Sequence, residues 1–228
     1  MPEELFDLSR EYQEMLNQGI RLSGENQEFF IRGRLHSLLG RLGSGFKPAR
    51  ILDYGCGIGT ASGHLAALFP GAQVVGVDTS ENALAYAAEN YGSDKIRFAK
   101  LADLESQGEF DLCYVNGVFH HIEPPSRLGA VAGIHRSLKK GGALALFENN
   151  PWNPGTRMVM SRIPFDRDAQ TLSPLATTRL VRTGGFDGPI ARWSLFYFPR
   201  PLAFLRFTEG ALSHLLLGAQ YCVLGTKR

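Results

Sequence analysis

An α/β fold, built from βαβ units and preceded by helices, is the fold class that this sequence predicts. Two observations lead to this prediction. A buried strand, a glycine-rich turn and a helix follow one another between residues 51 and 69, which is how a nucleotide-binding βαβ unit begins. Short apolar runs then alternate with helical stretches as far as residue 147, as repeated βαβ units require. The length of 228 residues fits one such domain with extensions.

Composition and charge exclude several classes of protein. The hydrophobic fraction of 44% and the charged fraction of 20% are those of an ordinary globular domain. A net charge of +2 offers no strong field for nucleic acid or for an anionic membrane surface. The three cysteines are far apart and odd in number, which favours a reducing compartment over a disulfide framework. Residues 1–14 lack an apolar signal core, and no stretch is long enough to span a bilayer. We therefore expect a cytoplasmic protein without a transmembrane segment.

The central feature of the sequence is the glycine-rich turn. The apolar pair Ile51 and Leu52 predicts a buried strand, and Asp53 stands where this strand ends. Glycines suit the turn because it is tight and because a ligand must contact bare backbone. The helix that follows directs its free N–H groups and positive dipole end at the ligand. The turn contains three alternate glycines, Gly55, Gly57 and Gly59.

The spacing of these glycines indicates which nucleotide is bound. A dinucleotide fingerprint reads G-x-G-x-x-G, but Thr60 occupies the third position here. The pattern D-x-G-x-G-x-G, which starts at Asp53, resembles motif I of the class I S-adenosylmethionine-dependent methyltransferases. In that family the glycine loop lies against the adenosyl-methionine and the strand-end acid faces the amino group of the methionine part. The resemblance implies that four residues contact this cofactor, namely Asp53, Gly55, Cys56 and Gly57, with Cys56 contributing its backbone.

Two further strands carry acids at the expected places. Strand two, residues 73–77, leads to Asp78, which lies 23 residues after Gly55 and matches the acid that binds a ribose. We assign its neighbour Thr79 to the same site. Strand three, Ile96–Lys100, is followed by Ala102 and Asp103, where the resembled family places an acid near the exocyclic amine of adenine. An exposed loop aspartate is the plain alternative for Asp103.

The loop after strand four is expected to contact both cofactor and acceptor. Strand four, residues 110–115, is followed by Asn116, which we assign to the cofactor, and then by His120 and His121. Ligands of open α/β sheets gather at this end of the central strands. Either histidine could be a general base, since histidine titrates near neutral pH. Consecutive residues at a strand end point in different directions, so we expect at most one histidine to face the site. The alternative is that both histidines are structural, hydrogen-bonded loop residues.

The remaining candidates for the acceptor site come from four parts of the chain. Glu148, at the end of strand five (residues 143–147), is a second candidate base or an anchor for the acceptor, and an exposed strand-end acid is the alternative. Residues 151–172 form a connection rich in Pro, Asn and Gly, whose length is typical of a functional lid. We assign four residues to substrate binding: Tyr12, Phe119, Asn149 and Trp152. Core packing is the alternative for Tyr12.

The N-terminal and C-terminal parts complete the predicted fold. Apolar periodicity predicts a helix over residues 2–18, ended by Gly19 and the Ser23-Gly24 pair, and a second helix over residues 25–42. Helices are also expected over residues 81–90, 126–139 and 173–184, with strands over 193–198 and 220–225 and an apolar helix between these strands. The resemblance implies a Rossmann-like seven-stranded sheet of order 3-2-1-4-5-7-6, with strand 7 antiparallel. We divide the chain into an N-terminal helical cap, residues 1–45, and a methyltransferase domain, residues 46–228.

The resemblance implies transfer of a methyl group from S-adenosylmethionine to a small-molecule acceptor, which we expect to react at oxygen, with S-adenosylhomocysteine as product. The apolar C-terminal third permits a lipophilic acceptor. No cluster of His, Cys or carboxylate residues has metal-ligand spacing in the sequence, so we expect no metal. Two alternatives remain open, a non-catalytic S-adenosylmethionine-binding module and a nicotinamide-dependent oxidoreductase. The sequence indicates neither the acceptor nor the oligomeric state.

Overall fold

The fold is taken from a computed structural model, which describes residues 19–163, 166 and 169–228. The predicted helix over residues 2–18, and with it Tyr12, lies outside the described residues. Among the described residues, none of the helices has the length and apolar character needed to cross a bilayer.

A seven-stranded sheet forms the centre of the molecule, with the order β3-β2-β1-β4-β5-β7-β6. Strands β1 to β5 pair in parallel, and β7 runs antiparallel to both β5 and β6. The predicted strand order and the reversed last strand are confirmed. The strands are β1 (Arg50–Tyr54), β2 (Gln73–Asp78), β3 (Ile96–Lys100), β4 (Phe110–Asn116), β5 (Leu138–Asn149), β6 (Ile190–Leu195) and β7 (Gln220–Thr226).

Seven α-helices lie among the described residues. Polar side chains begin several of them: Asn26, Ser80, Asn153 and Ser173 each accept a hydrogen bond from the backbone N–H three residues later, which satisfies a donor that the helix leaves free. The helices are α1 (Gln27–Leu42), α2 (Thr60–Leu68), α3 (Glu81–Tyr91), α4 (Pro124–Ser137), α5 (Pro154–Met160), α6 (Pro174–Thr183) and α7 (Glu209–Leu212).

The sheet is covered by helices on both faces, because alternate strand residues point to opposite sides. On one face Leu52 and Val115 belong to a buried cluster with Val131 and Ile134 of α4. On the other face Ile51 belongs to a second cluster, which includes residues of α1 and α2. Both faces of the parallel strands are therefore buried, as their nearly continuous apolar sequences predict.

The order of the strands places a crevice beside β1. Strand β1 pairs with β2 on one side and with β4 on the other, so the connections after β1 and β4 leave in opposite directions. Ligands of open α/β sheets bind outside the carboxyl ends of the strands at such a switch point. The glycine turn after β1 and the histidine pair after β4 lie at this edge.

Strand β5 begins earlier than predicted. The sequence Lys-Gly-Gly at residues 140–142 favoured a turn before a strand starting at residue 143, but β5 begins at Leu138. The pairing with β4 is irregular between Phe110 and Leu112, and Gly141, with a φ of 82°, accommodates the irregularity. The Gly141 N–H donates to the Lys227 carbonyl at 2.8 Å, so this stretch stays within the sheet.

Three other predicted elements differ in the structure. Gly19 does not end a helix, since it is itself helical. Strand β6 ends at Leu195 because Phe196 adopts a φ of 62°, which extended backbone cannot accommodate. The predicted apolar helix between β6 and β7 consists mainly of 3-10 turns, Arg200–Thr208 and Ser213–Leu215, on either side of the short α7. The non-helical angles of Leu202 break it at its start.

Candidate functional site

The glycine turn is tied to the end of the neighbouring strand β2. The backbone N–H groups of Gly55 and Cys56 both donate to the carbonyl of Val77, at 2.8 and 3.0 Å. The N–H of Gly57 donates to Oδ2 of Asp78 at 2.8 Å. All three glycines of the turn have positive φ, which a residue with a side chain adopts only at a cost. The sequence predicted these glycines for this reason, and the structure confirms the turn.

Open space lies against this turn. A Cβ atom added to Gly57 would meet no other atom within 4 Å, whereas one added to Gly55 would lie 2.4 Å from Val118 Cγ2. The buried oxygens Thr60 Oγ1 and Asn116 Oδ1 have no hydrogen-bond partner within the described part of the chain. Buried polar atoms are rarely left unpaired. Because Gly57, Thr60 and Asn116 all line one cavity, the residues present fit a polar ligand held against the glycine turn.

This cavity has a volume of about 580 Å³ and continues from the glycine turn to the loop after β4. His120 and His121 line its far part, together with Asn149. Its remaining wall is largely apolar and comes from α1, from α5 and from the segment after β6. The apolar residues of this wall include Phe29, Phe30, Ile31, Met158, Val159, Ile163 and Phe196.

Asp53 is a buried carboxyl at the base of the cavity. The strand continues one residue further than predicted, to Tyr54, and Asp53 lies within it with only 2% of its surface exposed. The Ser62 hydroxyl donates to Oδ2 of Asp53 at 2.6 Å. Burial raises the pKa of Asp53 to about 7, although the hydrogen bond from Ser62 opposes the rise. The carboxyl therefore exchanges a proton near neutral pH.

The residues predicted to hold ribose and adenine lie outside the cavity. Asp78 is half-buried, and its Oδ1 accepts a hydrogen bond from the Ser80 N–H at 3.0 Å. Thr79, Ala102 and Asp103 are exposed. None of these four residues lines the cavity. They lie instead at or just after the carboxyl ends of β2 and β3.

Cys56 is not a candidate nucleophile. It is buried, and burial raises the pKa of its thiol further above the ordinary value, helped by the neighbouring charges of Asp53 and Asp78. Thiolate, the reactive form, is therefore disfavoured. The backbone of Cys56, hydrogen-bonded to β2, forms part of the turn.

The structure corrects the prediction that at most one of the two histidines faces the site. His120 and His121 both line the cavity, and their ring centroids are 4.1 Å apart. The prediction assumed extended backbone, but the residues lie in a turn, in which the His121 N–H donates to the Val118 carbonyl at 3.0 Å. Both rings approach Asp166 Oδ1, with Nε2 of His120 at 3.3 Å and Nε2 of His121 at 3.4 Å.

Glu148 lies behind His120, away from the cavity. Its side chain is fully buried, and its Oε2 is 2.5 Å from Nδ1 of His120. Burial by itself lowers the pKa of His120, but the charges of Glu148 and Asp166 and their hydrogen bonds outweigh this and raise it to about 10. His120 is therefore held as an imidazolium between two carboxylates, and Glu148 acts on the cavity only through it.

The predicted substrate-binding residues are dispersed. Asn149 lines the cavity, and its Oδ1 accepts a hydrogen bond from Gln220 Nε2 at 3.1 Å. Phe119 is fully buried in the core and packs against Tyr54, so it does not reach the cavity. Trp152 is 44% exposed and is not part of the cavity wall either. Neither aromatic side chain lies in the wall of this cavity.

Two buried charged residues of the cavity were not predicted from the sequence. Asp166 lies in the connection after β5, 46 residues from its partner His120, and no local pattern indicates that contact. Arg34 of α1 is 5% exposed and lines the cavity. It donates to the Tyr114 hydroxyl at 3.1 Å and to Gln220 Oε1 at 2.9 Å. One signal for Arg34 was available in the sequence, because a charged residue on the buried face of an amphipathic helix is unusual and indicates a special role.

Comparison with known proteins agrees with this geometry. Residues 51–142 match the family model described as a methyltransferase domain. This match covers the strands β1 to β4, the glycine turn after β1 and the histidine pair after β4.

Curated relatives match over similar parts of the chain. An uncharacterized methyltransferase of Synechocystis sp. is 37% identical over 100 residues, which are 43% of this chain and 46% of the relative. A trans-aconitate 2-methyltransferase of Methylobacterium nodulans is 33% identical over 113 residues, 49% of this chain and 43% of the relative. The chain thus spans less than half of the length of these two relatives.

Solved structures share the fold over almost the whole chain. A methyltransferase structure from Thermotoga maritima superposes with a TM-score of 0.69 and 20% identity, and the match covers 97% of this chain and 98% of that one. Another from Archaeoglobus fulgidus gives a TM-score of 0.62 at 16% identity, over 89% and 95% of the two chains. The chain therefore has the Rossmann-like methyltransferase fold, and its residues 51–142 match a methyltransferase domain.

Proposed function

We propose that this protein binds S-adenosylmethionine against the glycine turn and transfers its methyl group to an oxygen atom of a small-molecule acceptor. One observation carries the proposal: a single cavity joins the glycine turn, with its unpartnered Thr60 and Asn116 oxygens, to the histidine pair after β4. A donor at one end and an acceptor at the other would then share one enclosed space. Holding two reactants in line is the main contribution a protein makes to such a displacement.

The methyl donor would be held by residues of two neighbouring loops. Gly55 and Gly57 offer bare backbone, Asp53 a carboxyl for the amino group of the methionine part, and Asp78 a carboxylate for the ribose hydroxyls. Asn116 offers its free Oδ1. When bound, S-adenosylmethionine supplies a methyl group on a sulfonium sulfur, which needs no further activation by the protein.

The cavity wall would exclude water from the reaction. Its apolar side chains come from segments that precede β1 and follow β5 in the sequence, among them Phe30 of α1 and Val159 of α5. We propose that residues 1–45 act as a cap and the connection at residues 151–172 as a lid, since described parts of both contribute to this wall. A water-poor site strengthens electrostatic interactions and prevents hydrolysis.

The two histidines would serve the acceptor differently. His120 carries its proton tightly, because Glu148 and Asp166 both stabilise the imidazolium. We therefore assign the acceptor contact to His121, whose side chain is 15% exposed. As a general base, His121 would remove the proton of a hydroxyl acceptor, which contributes about 10²- to 10⁴-fold in comparable enzymes.

Arg34 suggests a property of the acceptor. This buried cation lines the cavity, and its hydrogen bonds go to the neutral groups of Tyr114 and Gln220. A carboxylate in the cavity would give it a charged partner. One relative is named for trans-aconitate, which bears carboxylates. We include an acidic small molecule with an apolar body as the acceptor class to be tested first.

A labelled transfer assay tests the proposal. The protein is incubated with S-adenosylmethionine that carries a deuterated methyl group and with fractionated metabolites, trans-aconitate among them. Mass spectrometry should detect an acceptor that gains the labelled methyl group only when the protein is present. Binding of S-adenosylmethionine without any labelled product would favour a non-catalytic binding module. A thermal shift with NADH but none with S-adenosylmethionine would favour an oxidoreductase.

A further inference from the structure

Three side chains with metal-binding atoms converge at the acceptor end of the cavity. His120, His121 and Asp166 each offer one ligand atom, and these atoms lie within 4.8 Å of one another. All three residues line the cavity. We propose that they bind a divalent first-row cation of the Zn²⁺ type, with two imidazole nitrogens and one carboxylate oxygen as ligands.

The distances to Asp166 favour a bound cation over hydrogen bonds alone. Oδ1 of Asp166 lies 3.3 Å from Nε2 of His120 and 3.4 Å from Nε2 of His121. A charge-assisted hydrogen bond between such groups is about 2.7–2.9 Å long. Bonds of about 2.0–2.1 Å from Zn²⁺ to nitrogen and oxygen place two ligands of a tetrahedron about 3.3–3.4 Å apart. Both distances therefore match edges of a tetrahedral site.

The surroundings of His120 are those of a metal ligand. Its Nδ1 lies 2.5 Å from Oε2 of Glu148, so the carboxylate fixes the ring with Nδ1–H as donor. In the metal-free protein Nε2 carries a proton, and the cation displaces this proton on binding, because a histidine ligand is a neutral imidazole. Carboxylate, histidine and metal in a row form the usual arrangement around protein zinc sites. Glu148 is in turn fixed by the Phe119 N–H, which donates to Oε1 at 2.7 Å.

The donor set decides between cations. Two imidazoles and one carboxylate suit Zn²⁺ and its first-row neighbours, whereas Mg²⁺ and Ca²⁺ prefer oxygen ligands. Three protein ligands leave a position open, which is the pattern of catalytic zinc sites. Because the three residues line the cavity, this position faces the space proposed for the acceptor. The metal site does not depend on the proposed function, and only its role rests on that function. With Nε2 of His121 on the ion, the ion takes the place of the free imidazole: it would hold an oxygen of the acceptor and lower the pKa of a hydroxyl there.

Metal titration of the chelator-treated protein tests this inference. Zn²⁺ binding is followed by calorimetry, and Co²⁺ binding by the visible absorption of a low-coordinate Co²⁺ ion. The wild-type protein should bind one ion per chain. The variants His121→Ala and Asp166→Asn should each bind at least about 100-fold more weakly, since loss of an outer-sphere partner alone costs about 10- to 100-fold. Glu148→Gln should fall within that smaller range.

A matched variant controls for histidine loss in general. His214 is exposed on the 3-10 turn Ser213–Leu215, and His214→Ala should bind the ion like the wild-type protein. Circular dichroism of each variant verifies folding, and His121→Ala, at a partly exposed position, keeps the test valid if Asp166→Asn fails to fold.

Two results would overturn the inference. One is a wild-type protein that binds neither Zn²⁺ nor Co²⁺, and the other is binding that survives both ligand variants unchanged. S-adenosylmethionine affinity, measured in parallel, separates this inference from the proposed function. Intact cofactor affinity without metal binding removes the metal site alone, and absent cofactor affinity with metal binding removes the proposed function alone.

Discussion

Glu148 joins the end of β5 to the turn after β4 through two contacts on its two oxygens. Oε2 lies 2.5 Å from Nδ1 of His120, and Oε1 accepts the Phe119 N–H at 2.7 Å. Both side chains of the ion pair are almost completely buried. A single carboxylate thus fixes the position of the histidine pair relative to the sheet.

Replacing Glu148 by Ala should destabilise the fold strongly. The change leaves the His120 imidazolium with one buried partner fewer and the Phe119 N–H unpaired, and breaking a buried ion pair costs about 3–5 kcal/mol. Urea unfolding measures the loss. Glu105→Ala is the matched control, because Glu105 pairs with Arg136 at the surface, where such pairs contribute at most about 1 kcal/mol. Equal losses in the two variants would contradict the role of Glu148.

Replacing Asp78 by Ala should weaken S-adenosylmethionine binding. The carboxylate would lose its contact with the ribose hydroxyls, and the Gly57 N–H would lose its acceptor. Hydrogen bonds to charged groups contribute about 1.5–3 kcal/mol, so the dissociation constant should rise about 10- to 150-fold. Calorimetry is the measurement, with Asp94→Ala, on the exposed loop before β3, as control. An unchanged affinity in Asp78→Ala would refute the assignment.

Asp53 should make the stability of the protein depend on pH. Its pKa is raised from 3.8 to about 7, so the folded state keeps a proton that the unfolded chain releases above about pH 4. This contribution to stability is fully present below about pH 4 and is lost as the pH rises through about 7. Urea unfolding of the wild-type protein and Asp53→Asn across this range measures it. The stability difference between the two proteins should change with pH, and a constant difference would contradict the raised pKa.

Replacing His121 by Ala should lower turnover and leave cofactor binding intact. His121 lies at the acceptor end of the cavity, and removing a group that accepts the proton or holds the acceptor lowers the rate about 10²- to 10⁴-fold. Steady-state kinetics measure turnover and calorimetry measures S-adenosylmethionine affinity on the same sample. Full activity of the variant would contradict this role of His121, and the protein would then contribute only the alignment of donor and acceptor at this end of the cavity.

The sequence predicted the first half of the sheet closely, because each strand there is a short apolar run between polar turn residues. Strand β3 begins and ends at the predicted residues, and Asp78 ends β2 at the predicted place. The start of β5 could not be predicted, since the Gly141 N–H is held in the sheet by the distant Lys227 carbonyl. Local sequence at residues 140–142 favours a turn, and a tertiary hydrogen bond outweighs that preference.

The parts of the candidate site that depend on local backbone conformation could be predicted from the sequence. The parts that depend on contacts between residues far apart in the sequence could not. The glycine turn follows from local conformational requirements. The position of Asp166 depends on how a long connection folds over the sheet, so nothing near it in the sequence indicates its contact with both histidines. The segment before β7 was misjudged for another reason: its apolar residues resemble a buried helix, yet Phe204 is 70% and Phe207 is 85% exposed.

A crystal structure with bound S-adenosylhomocysteine is the sharpest test of the proposed methyl transfer. We expect that the amino-acid part lies against Gly55 and Gly57, that the ribose hydroxyls contact Asp78, and that the sulfur faces the cavity towards His121. The predicted sulfur position leaves room for an acceptor between it and the histidine pair. A ligand bound elsewhere, or one whose sulfur is turned away from this cavity, would contradict the proposed methyl transfer.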